Sequence, residues 1–253
     1  MQIDETLKVL FEQRDEIPLF YVESGSRLWD IASPDSDFDV RGFHLQSRQK
    51  YFDFRKHRDI IEVMDGDFDL VSYDIDKMFG LLAKCNPTVF EWIRAHICYF
   101  NILPDWEQLQ QEIITNYDLT ALYYHYLSLA NGQLHDMEKG NKFTYKKAFY
   151  CIRGLLSADL AAQGAIPQLR VEQLLAQTDP KNPVTQIARD SLDQKRQGTE
   201  KQQIEEQRRQ AILTAIHAFV KELSSRQLPR HSKSNRLAEV LTEYCVDLKS
   251  RYY

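Results

Sequence analysis

A Gly-Ser pair followed by two alternating aspartates is the feature that most constrains this chain. Gly25 and Ser26 come just after the apolar and aromatic run 18–23, while Asp37 and Asp39 open a second run rich in apolar residues. Both runs predict strands, because they are apolar and rich in aromatic and β-branched residues. Since side chains alternate between the two faces of a strand, both aspartates should project from the same face of a sheet.

Each half of this pattern suits one part of nucleotide chemistry. Residues 27–32 predict a short helix, ended by Ser33-Pro34, so the Gly-Ser pair would lie at a helix N-terminus. Unpaired N–H groups and the helix dipole favour a phosphate there. Paired carboxylates hold divalent metal ions, which lie roughly 3.5–4 Å apart in two-metal sites and neutralise phosphate charge. Alternating aspartates alone are typical of a solvated turn, but the whole succession indicates nucleotidyl transfer.

A third carboxylate on a neighbouring strand would complete such a site, because it helps to hold a metal and can accept the attacking group's proton. Asp69 is the first choice, since it begins the apolar run 69–73. Asp67 would share its face and is the second choice, and Glu62 in the run 60–64 is the third. A solvated residue at a strand end is the alternative interpretation of Asp69.

Composition places the chain among ordinary globular proteins. Its 253 residues are 43% hydrophobic and 27% charged, which is enough for one large or two small domains. The sequence has no apolar run of membrane-spanning length, no signal-peptide pattern at its start and 4 scattered cysteines. We therefore expect a cytoplasmic protein with reduced thiols and no membrane partner. The net charge of -5 argues against coating nucleic acid through bulk charge, but allows a local basic groove.

Strand signals are concentrated before Leu103-Pro104, and helical signals dominate after it. In the first part, Asp74 is placed to cap the helix that follows it, and Pro87 suits the first turn of the next helix. We therefore predict an α/β domain over residues 1–103 and an α-helical domain over residues 104–253.

The helical part contributes one segment with chemical character, the predicted helix 144–163. Its residues Lys146, Tyr150 and Arg153 are spaced to share one face, opposite an apolar stripe. A basic and aromatic face beside a metal site would bind a triphosphate and stack on a base. Spacing alone favours the plainer interpretation, which is a solvated helix face.

Several motifs together resemble those of one known family. They occupy residues 25–29, 32–41, 69–74, 86–92, 124–128 and 146–153. With these motifs the chain resembles the predicted nucleotidyltransferases of the DNA polymerase β superfamily that are often linked with RNA repair, the RlaP family. The resemblance covers about residues 15–165. Its most specific part is the Gly-Ser motif with the alternating aspartates.

The resemblance implies an α+β, polymerase-β-like fold, in which a palm-like nucleotidyltransferase domain with a mixed sheet precedes a helical domain that binds nucleotide or substrate. It also implies that Asp37, Asp39 and Asp69 are the catalytic, metal-binding carboxylates. The residues that it assigns to nucleotide or phosphate binding are Gly25, Ser26, Arg27, Lys147, Tyr150 and Arg153.

The implied reaction is Mg²⁺- or Mn²⁺-dependent transfer of a nucleoside monophosphate from an NTP to an acceptor hydroxyl, with release of pyrophosphate. The family's association with RNA repair favours an RNA end as the acceptor, while a protein hydroxyl and a small molecule are left open. The alternative from a different class is an antitoxin-like or non-catalytic binding protein that retains the fold. Three intact carboxylates favour the enzyme, since a binding module does not need them.

Overall fold

The computed structural model describes residues 2–32, 36–139, 143–196, 204–228 and 235–253. The chain forms two compact units. The first combines residues 1–117 with residues 232–253, and the second spans residues 118–231. The predicted α+β class, with a mixed sheet and many helices, is confirmed. The domain boundary predicted after residue 103 stays a prediction. The turn predicted at Ser33-Pro34 lies outside the described residues.

The elements follow one another as helix and strand in the first unit and as helices alone in the described part of the second. The strands are β1 (Ile17–Glu23), β2 (Phe38–Leu45), β3 (Ile60–Asp65), β4 (Phe68–Asp74) and β5 (Cys98–Asn101). The helices are α1 (Ile3–Glu12), α2 (Gly25–Leu28), α3 (Arg48–Phe52), α4 (Ile75–Ala83), α5 (Pro87–Ile93), α6 (Trp106–Asn116), α7 (Leu119–Lys139), α8 (Tyr145–Ala162), α9 (Val171–Gln177), α10 (Pro183–Arg196), α11 (Glu206–Ser224) and α12 (Asn235–Tyr252). Helices α7 to α11 belong to the second unit, and the others belong to the first.

The sheet of the first unit has the strand order β3-β4-β2-β1-β5. Strands β2 and β4 run parallel, whereas the other neighbours run antiparallel, so the sheet is mixed. A parallel pair needs a long connection, and here the chain passes through α3 and β3 before it enters β4. This connection brings the beginnings of β2 and β4 to the same edge of the sheet.

The composition of β1 explains its place inside the sheet. Residues 19–22 are all buried, so both faces of the strand are covered. On one face, the ring of Tyr21 lies 5.6 Å from the ring of Phe11 in α1. On the other face, the ring of Phe20 lies 4.5 Å from that of Trp106 in α6. The sheet is therefore packed between α1 and α6.

Two helix starts follow from their capping residues. The side chain of Asp74 accepts a hydrogen bond of 3.0 Å from the backbone N–H of Asp76 at the start of α4. Asn86 does the same for Thr88 at 3.0 Å, and Pro87 is the first residue of α5. These bonds satisfy N–H groups that have no partner within the helix. The predicted cap at Asp74 and the predicted position of Pro87 are confirmed.

The second unit is organised around the contact of α7 with α8. A Cβ atom on Gly154 would lie only 3.2 Å from the carbonyl oxygen of Tyr126 and 3.3 Å from the Cβ of Ala130. The thiol of Cys151 donates to the carbonyl oxygen of Ala130 at 3.4 Å. Small residues thus let the two helix backbones approach closely. Among the described residues, no helix is both long enough and apolar enough to cross a membrane.

Candidate functional site

Two of the predicted carboxylates meet at the edge where β2 and β4 begin. Asp39 and Asp69 are direct partners in the parallel register of the two strands. Residues that pair in this way lie at the same level and project from the same face of the sheet. Both side chains are partly buried. The structure therefore brings Asp39 and Asp69 together, although they are far apart in sequence.

One arginine bridges these two carboxylates. Arg41 follows Asp39 by two residues on β2, so the strand period places it on the same face. Its Nη2 atom donates to Oδ1 of Asp39 at 3.2 Å and to Oδ2 of Asp69 at 2.7 Å. Its Nη1 atom donates to the carbonyl oxygen of Asp69 at 2.7 Å. No role was predicted for Arg41, although its spacing of two residues from Asp39 could have indicated that both side chains share a face.

The pKa of Asp39 is raised above its ordinary value, and Arg41 opposes this shift by favouring the ionised form. Burial raises the pKa of the Asp39 carboxyl, Arg41 lowers it, and the neighbouring carboxylates Asp69 and Asp37 raise it further. A positive charge in the place of the guanidinium would likewise stabilise the ionised form of this partly buried carboxylate. Hard oxygen donors on adjacent strands that already hold one cation fit a Mg²⁺ or Mn²⁺ ion.

Asp37 lies outside the Arg41 bridge, although its charge acts on Asp39. It is exposed and precedes Phe38, the first residue of β2. Among the described residues, no group of three or more His, Cys, Asp and Glu side chains is arranged to hold a metal ion. Asp39 and Asp69 are instead bridged by the guanidinium of Arg41, so a positively charged side chain of the protein itself lies between them. The assignment of Asp37, Asp39 and Asp69 as a metal-binding triad stays a prediction.

Arg27 fixes the chain where it enters β2. Its Nε atom donates to the carbonyl oxygen of Asp37 at 3.1 Å, and its Nη2 atom donates to that of Ser36 at 2.6 Å. Its guanidinium carbon lies 3.9 Å from the ring centroid of Phe38. These contacts hold the backbone of Asp37 in place. A direct contact of Arg27 with a nucleotide, as the resemblance implies, stays a prediction.

The Gly-Ser turn packs directly against Asp39. Gly25 has a φ of +62°, which side chains disfavour, and a Cβ atom there would lie 2.1 Å from Oδ2 of Asp39. The backbone N–H of Ser24 donates to the carbonyl oxygen of Asp39 at 2.8 Å. Helix α2 runs from Gly25 to Leu28 with Ser26 in its first turn, so it begins two residues and ends four residues before the predicted helix 27–32. Only glycine allows the turn to lie this close to the carboxylate.

Glu23 is a buried residue of the site that the sequence analysis missed. It has 0% exposure, and its Oε1 atom accepts hydrogen bonds from the backbone N–H groups of Ser24 at 3.1 Å and Asp39 at 3.0 Å. Its Oε2 atom accepts a bond from the hydroxyl of Tyr99 on β5. Burial raises the pKa of Glu23, against the lowering effect of these three donors. One carboxylate thus ties together β1, the Gly-Ser turn, β2 and β5. The sequence feature that could have identified Glu23 is its position as the acidic last residue of the apolar run 18–23.

The two alternatives to Asp69 have other surroundings. Asp67 is exposed and precedes β4, where its carbonyl oxygen accepts a bond of 2.7 Å from the N–H of Phe38. Glu62 is exposed on the edge strand β3 and forms an ion pair with Arg58. Register places only Asp69 of these three acidic residues opposite Asp39. The structure therefore favours Asp69 as the partner of Asp39.

The remaining predicted residues lie on α8 in the second unit. Arg153 is buried, with 6% exposure, rather than part of a solvated face. The backbone N–H of Lys147 donates to the side chain of Thr144, which caps the helix. The ammonium group of Lys146 lies 5.8 Å from the ring centroid of Tyr150. The proposed nucleotide contacts of Lys147, Tyr150 and Arg153 stay predictions.

Comparison with known proteins gives a consistent set of relatives. The "Uncharacterized protein YcgL" of Bacillus subtilis (strain 168) is 30% identical in an alignment 253 positions long. That alignment covers 93% of this chain and 93% of the relative. The "Uncharacterized protein MJ0002" of Methanocaldococcus jannaschii is 28% identical over 142 residues, or 54% of this chain and 57% of that protein.

A solved structure and a family profile complete the comparison. The crystal structure of a nucleotidyltransferase-like protein from Exiguobacterium sibiricum 255-15 matches 98% of this chain and 89% of its own, with 13% identity. Its TM-score of 0.35 is too low to support an argument. The profile described as "RNA repair pathway DNA polymerase beta family", RlaP, matches residues 1–243. Because that match spans nearly the whole chain, the protein belongs to the RlaP family.

Proposed function

We propose that this protein is a nucleotidyltransferase that moves a nucleoside monophosphate from an NTP to an acceptor hydroxyl and releases pyrophosphate. The observation that carries the proposal is the position of Gly25 against Asp39, while Asp39 pairs in register with Asp69. A turn that can bind phosphate and two carboxylates that can bind metal thus lie side by side.

The proposed metal ligands are Asp39 and Asp69, with Asp37 as the third carboxylate. The support for them is the Arg41 bridge, because it identifies the space between Asp39 and Asp69 as one that holds a positive charge. When bound there, Mg²⁺ or Mn²⁺ would neutralise the charge of the triphosphate and orient it. Asp39 and Asp69 would hold such an ion, and the guanidinium of Arg41, which bonds one oxygen of each, would compete with it for the two carboxylates.

The surrounding residues position these groups. Glu23 holds the backbone N–H of Asp39, and Arg27 holds the backbone of Asp37, so both carboxylates start from fixed main-chain positions. Gly25 and Ser26 would bind the phosphates through N–H groups and the serine hydroxyl. Such positioning, together with charge neutralisation, is the main contribution of a protein to phosphoryl transfer.

The reaction itself is an in-line displacement at the α-phosphorus. The acceptor oxygen forms the new bond to phosphorus while the bond to the pyrophosphate oxygen breaks. Asp69 is the proposed acceptor of the hydroxyl proton, because it lies on the strand next to Asp39 and is partly exposed. Lys147, Tyr150 and Arg153 are the proposed contacts to the nucleotide from the helical unit. The family description favours an RNA end as the acceptor.

The Arg41 bridge also supports a second candidate function. A protein that keeps the fold as a non-catalytic binding partner would satisfy the two carboxylates internally, as Arg41 does here. In such a protein the Gly25 turn would have no phosphate to bind. The two candidates differ in whether the carboxylates act on an NTP.

Transfer assays distinguish these candidates. The protein is incubated with each labelled NTP, with Mg²⁺ or Mn²⁺, and with separate pools of RNA, DNA, protein and small-molecule acceptors. If the protein is an enzyme, the parent should label the acceptors of one pool. This labelling should be lost in Asp39→Asn and Asp69→Asn. The control Asp15→Asn, which changes an exposed aspartate, should keep it. Absence of label in every pool, with NTP binding equal in all four proteins, favours the binding partner.

A further inference from the structure

The segment between β2 and β3 carries a concentration of positive charge. Residues 48–58, called here the basic loop, include α3 and the connection that follows it. Its basic residues are Arg48, Lys50, Arg55, Lys56 and Arg58, with His57 among them and Asp53 as the acidic residue. The chain as a whole has a net charge of -5. The basic loop is therefore a local basic surface on an acidic protein, and the proposed transfer chemistry does not use it.

Two aromatic rings in the basic loop are exposed to solvent. Phe52 is 78% exposed and Phe54 is 95% exposed. The guanidinium of Arg48 lies 5.7 Å from the ring of Phe52, and that of Arg55 lies 5.9 Å from the ring of Phe54. A single exposed apolar residue is common and needs no explanation. Two phenylalanines separated by one residue, each beside an arginine, form a surface that suits a ligand with both flat rings and negative charge.

Hydrogen bonds within the loop hold this surface in shape. The carboxylate of Asp53 accepts from the backbone N–H of Arg55 at 3.1 Å, from its Nη2 atom at 2.6 Å and from Nε2 of His57 at 3.0 Å. The side-chain bond from Arg55 is the main reason that the pKa of Asp53 is lowered to about 2. Asp53 thus remains ionised at neutral pH and organises the turn that lies between the two rings and the basic residues.

Single-stranded nucleic acid is the partner whose chemistry fits this surface. Its bases offer flat faces on which phenylalanine can stack, and its phosphates attract the exposed cations Arg55, Lys56 and Arg58. The ion pair of Arg58 with Glu62 is exposed, so it costs little to exchange for phosphate. The side chain of Arg55 is 66% exposed and can attract phosphate while it stays paired with Asp53. A duplex keeps its base faces stacked inside and would leave the rings unused. A membrane surface would require a longer amphipathic helix than the short α3.

We propose that the basic loop binds single-stranded nucleic acid, with bases stacked on Phe52 and Phe54. In its link to catalysis this inference rests on the proposed function, since the strand bound here would be the acceptor. The residue after the loop is Asp59, whose carbonyl oxygen accepts from the backbone N–H of Asp74, at the opposite end of β4 from Asp69. Ile60 pairs with Tyr73 and Met64 pairs with Asp69, so Ile60 lies roughly 13 Å along β4 from the carboxylates, at about 3.3 Å per residue, and the loop lies beyond it. The loop would therefore bind nucleotides that precede the reactive end.

Fluorescence anisotropy of labelled oligonucleotides tests the binding without NTP or metal. The ligands are a long single-stranded RNA, the single-stranded DNA of the same sequence, a dinucleotide and a duplex, and unlabelled vesicles of anionic lipid are tested as competitors of the labelled single strand. The variant Phe52→Ser/Phe54→Ser removes the rings, and Met64→Ser is the control, because Met64 is 79% exposed on the neighbouring strand. Thermal melts of each variant check that it is folded.

The expected result is salt-dependent binding of the long single strands and weaker binding of the dinucleotide, the duplex and the vesicles. The double phenylalanine variant should bind the long strands at least about tenfold more weakly, while Met64→Ser should bind like the parent. Lys56→Gln should reduce the slope of log affinity against log salt by about 0.7 for one lost phosphate contact. The control Lys8→Gln, at another exposed lysine, should leave the slope unchanged.

Two results would overturn the inference. One is equal binding of single strands by the parent and the double phenylalanine variant, which would make the rings irrelevant. The other is binding of vesicles or duplex in preference to single strands, which would assign the surface to a membrane or to a double helix. Failure of the proposed function has a different signature, namely no nucleotide transfer by the parent with single-strand binding intact.

Discussion

The two ends of the β2–β4 strand pair are built in different ways. At one end, Asp39 and Asp69 are partly buried and are held by Arg41, while Glu23 and Gly25 fix the main chain around Asp39. At the other end of β4, the turn of the basic loop around Asp53 is held by bonds among the loop's own residues, while Lys50 and Tyr51 anchor the loop to Glu16 and Asp74. The first end is therefore a product of long-range strand pairing, whereas the exposed turn at the second end is shaped by local sequence on two long-range anchors.

This difference predicts how the two ends respond to mutation. Near Asp39, changes of the two carboxylates should alter chemistry, and changes of Gly25 and Glu23 should alter the stability of the sheet. Changes of the exposed rings in the basic loop should alter binding alone. Each of the following predictions tests one side of this comparison.

The largest expected effect is on transfer activity. Asp39→Asn and Asp69→Asn should each reduce the rate at least about a hundredfold, because metal ions contribute several kcal/mol of charge stabilisation. The unfolding midpoint should change little, since the remaining aspartate still pairs with Arg41. Steady-state rates and urea denaturation measure the two effects. The control Asp15→Asn should keep the parent's rate, and a carboxylate variant that does so as well would remove that residue from the site.

A large effect on stability is expected at Gly25. Gly25→Ala should lower the free energy of unfolding by about 2–5 kcal/mol, because it combines a strained positive φ with a clash against Asp39. Gly66→Ala is the matched control, since Gly66 has a φ of +57° but open space around its Cβ position. It should cost only about 1–2 kcal/mol, the strain alone. Equal losses in urea denaturation would show that the turn does not press against Asp39.

A pH-dependent effect of intermediate size is expected at Glu23. Its pKa is raised in the folded protein above the ordinary 4.5, so folding favours the protonated form. The stability that this proton contributes is present below pH 4.5 and is lost as pH rises through the raised pKa. Glu23→Gln carries no titrating group at this position, so its free energy of unfolding should not show this loss. The difference in free energy of unfolding between Glu23→Gln and the parent should therefore grow in favour of the variant as pH rises from 4.5 through the raised pKa, and stay constant above it.

The companion variant Glu23→Ala tests the hydrogen bonds of the same side chain. It leaves the N–H groups of Ser24 and Asp39 without this acceptor, which should cost about 1–3 kcal/mol at neutral pH. Urea denaturation at several pH values measures both variants. Parallel stability curves for the parent and Glu23→Gln would contradict the assignment of a buried, titrating carboxylate.

The smallest expected effect is on the stability of the exposed end. Phe52→Ser/Phe54→Ser should change the free energy of unfolding by less than about 0.5 kcal/mol, because both rings are exposed. A larger loss in urea denaturation would mean that the rings support the fold, and that the contrast between the two ends is weaker than described.

Local patterns predicted much of the first unit. The apolar run of β1, the helix start at the Gly-Ser pair, the strand β2 and the caps of α4 and α5 all follow from residues close together in sequence. Helix α1 was not predicted, although Ile3, Leu7 and Phe11 have helical spacing. Helix α6 was also not predicted, because its many polar residues conceal the buried side chains Trp106 and Leu109.

Long-range pairing explains what local patterns missed. Local pattern suggested a third carboxylate and ranked Asp69 first by its place at the start of a strand, and the family resemblance assigned the same residue to the metal-binding set. The parallel register of β2 with β4 is what puts Asp69, rather than Asp67, opposite Asp39. The same register lets Arg41 reach both carboxylates, and the packing of β5 beside β1 brings Tyr99 to Glu23. Such contacts join segments whose order in space cannot be read from periodicity.

Binding of Mn²⁺ to the nucleotide-free protein shows whether the Asp39–Asp69 pair is a metal site. Electron paramagnetic resonance of the free ion gives the affinity without any assumption about the acceptor. The proteins compared are the parent, Asp69→Asn, Arg41→Gln and the control Asp15→Asn.

Asp69→Asn should bind Mn²⁺ at least about tenfold more weakly than the parent, as expected when a charged ligand is lost. Arg41→Gln should bind Mn²⁺ as tightly as the parent or more tightly, because the competing guanidinium is gone. Asp15→Asn should match the parent. Equal Mn²⁺ affinity of Asp69→Asn and the parent would contradict the claim that the Asp39–Asp69 pair is a metal site.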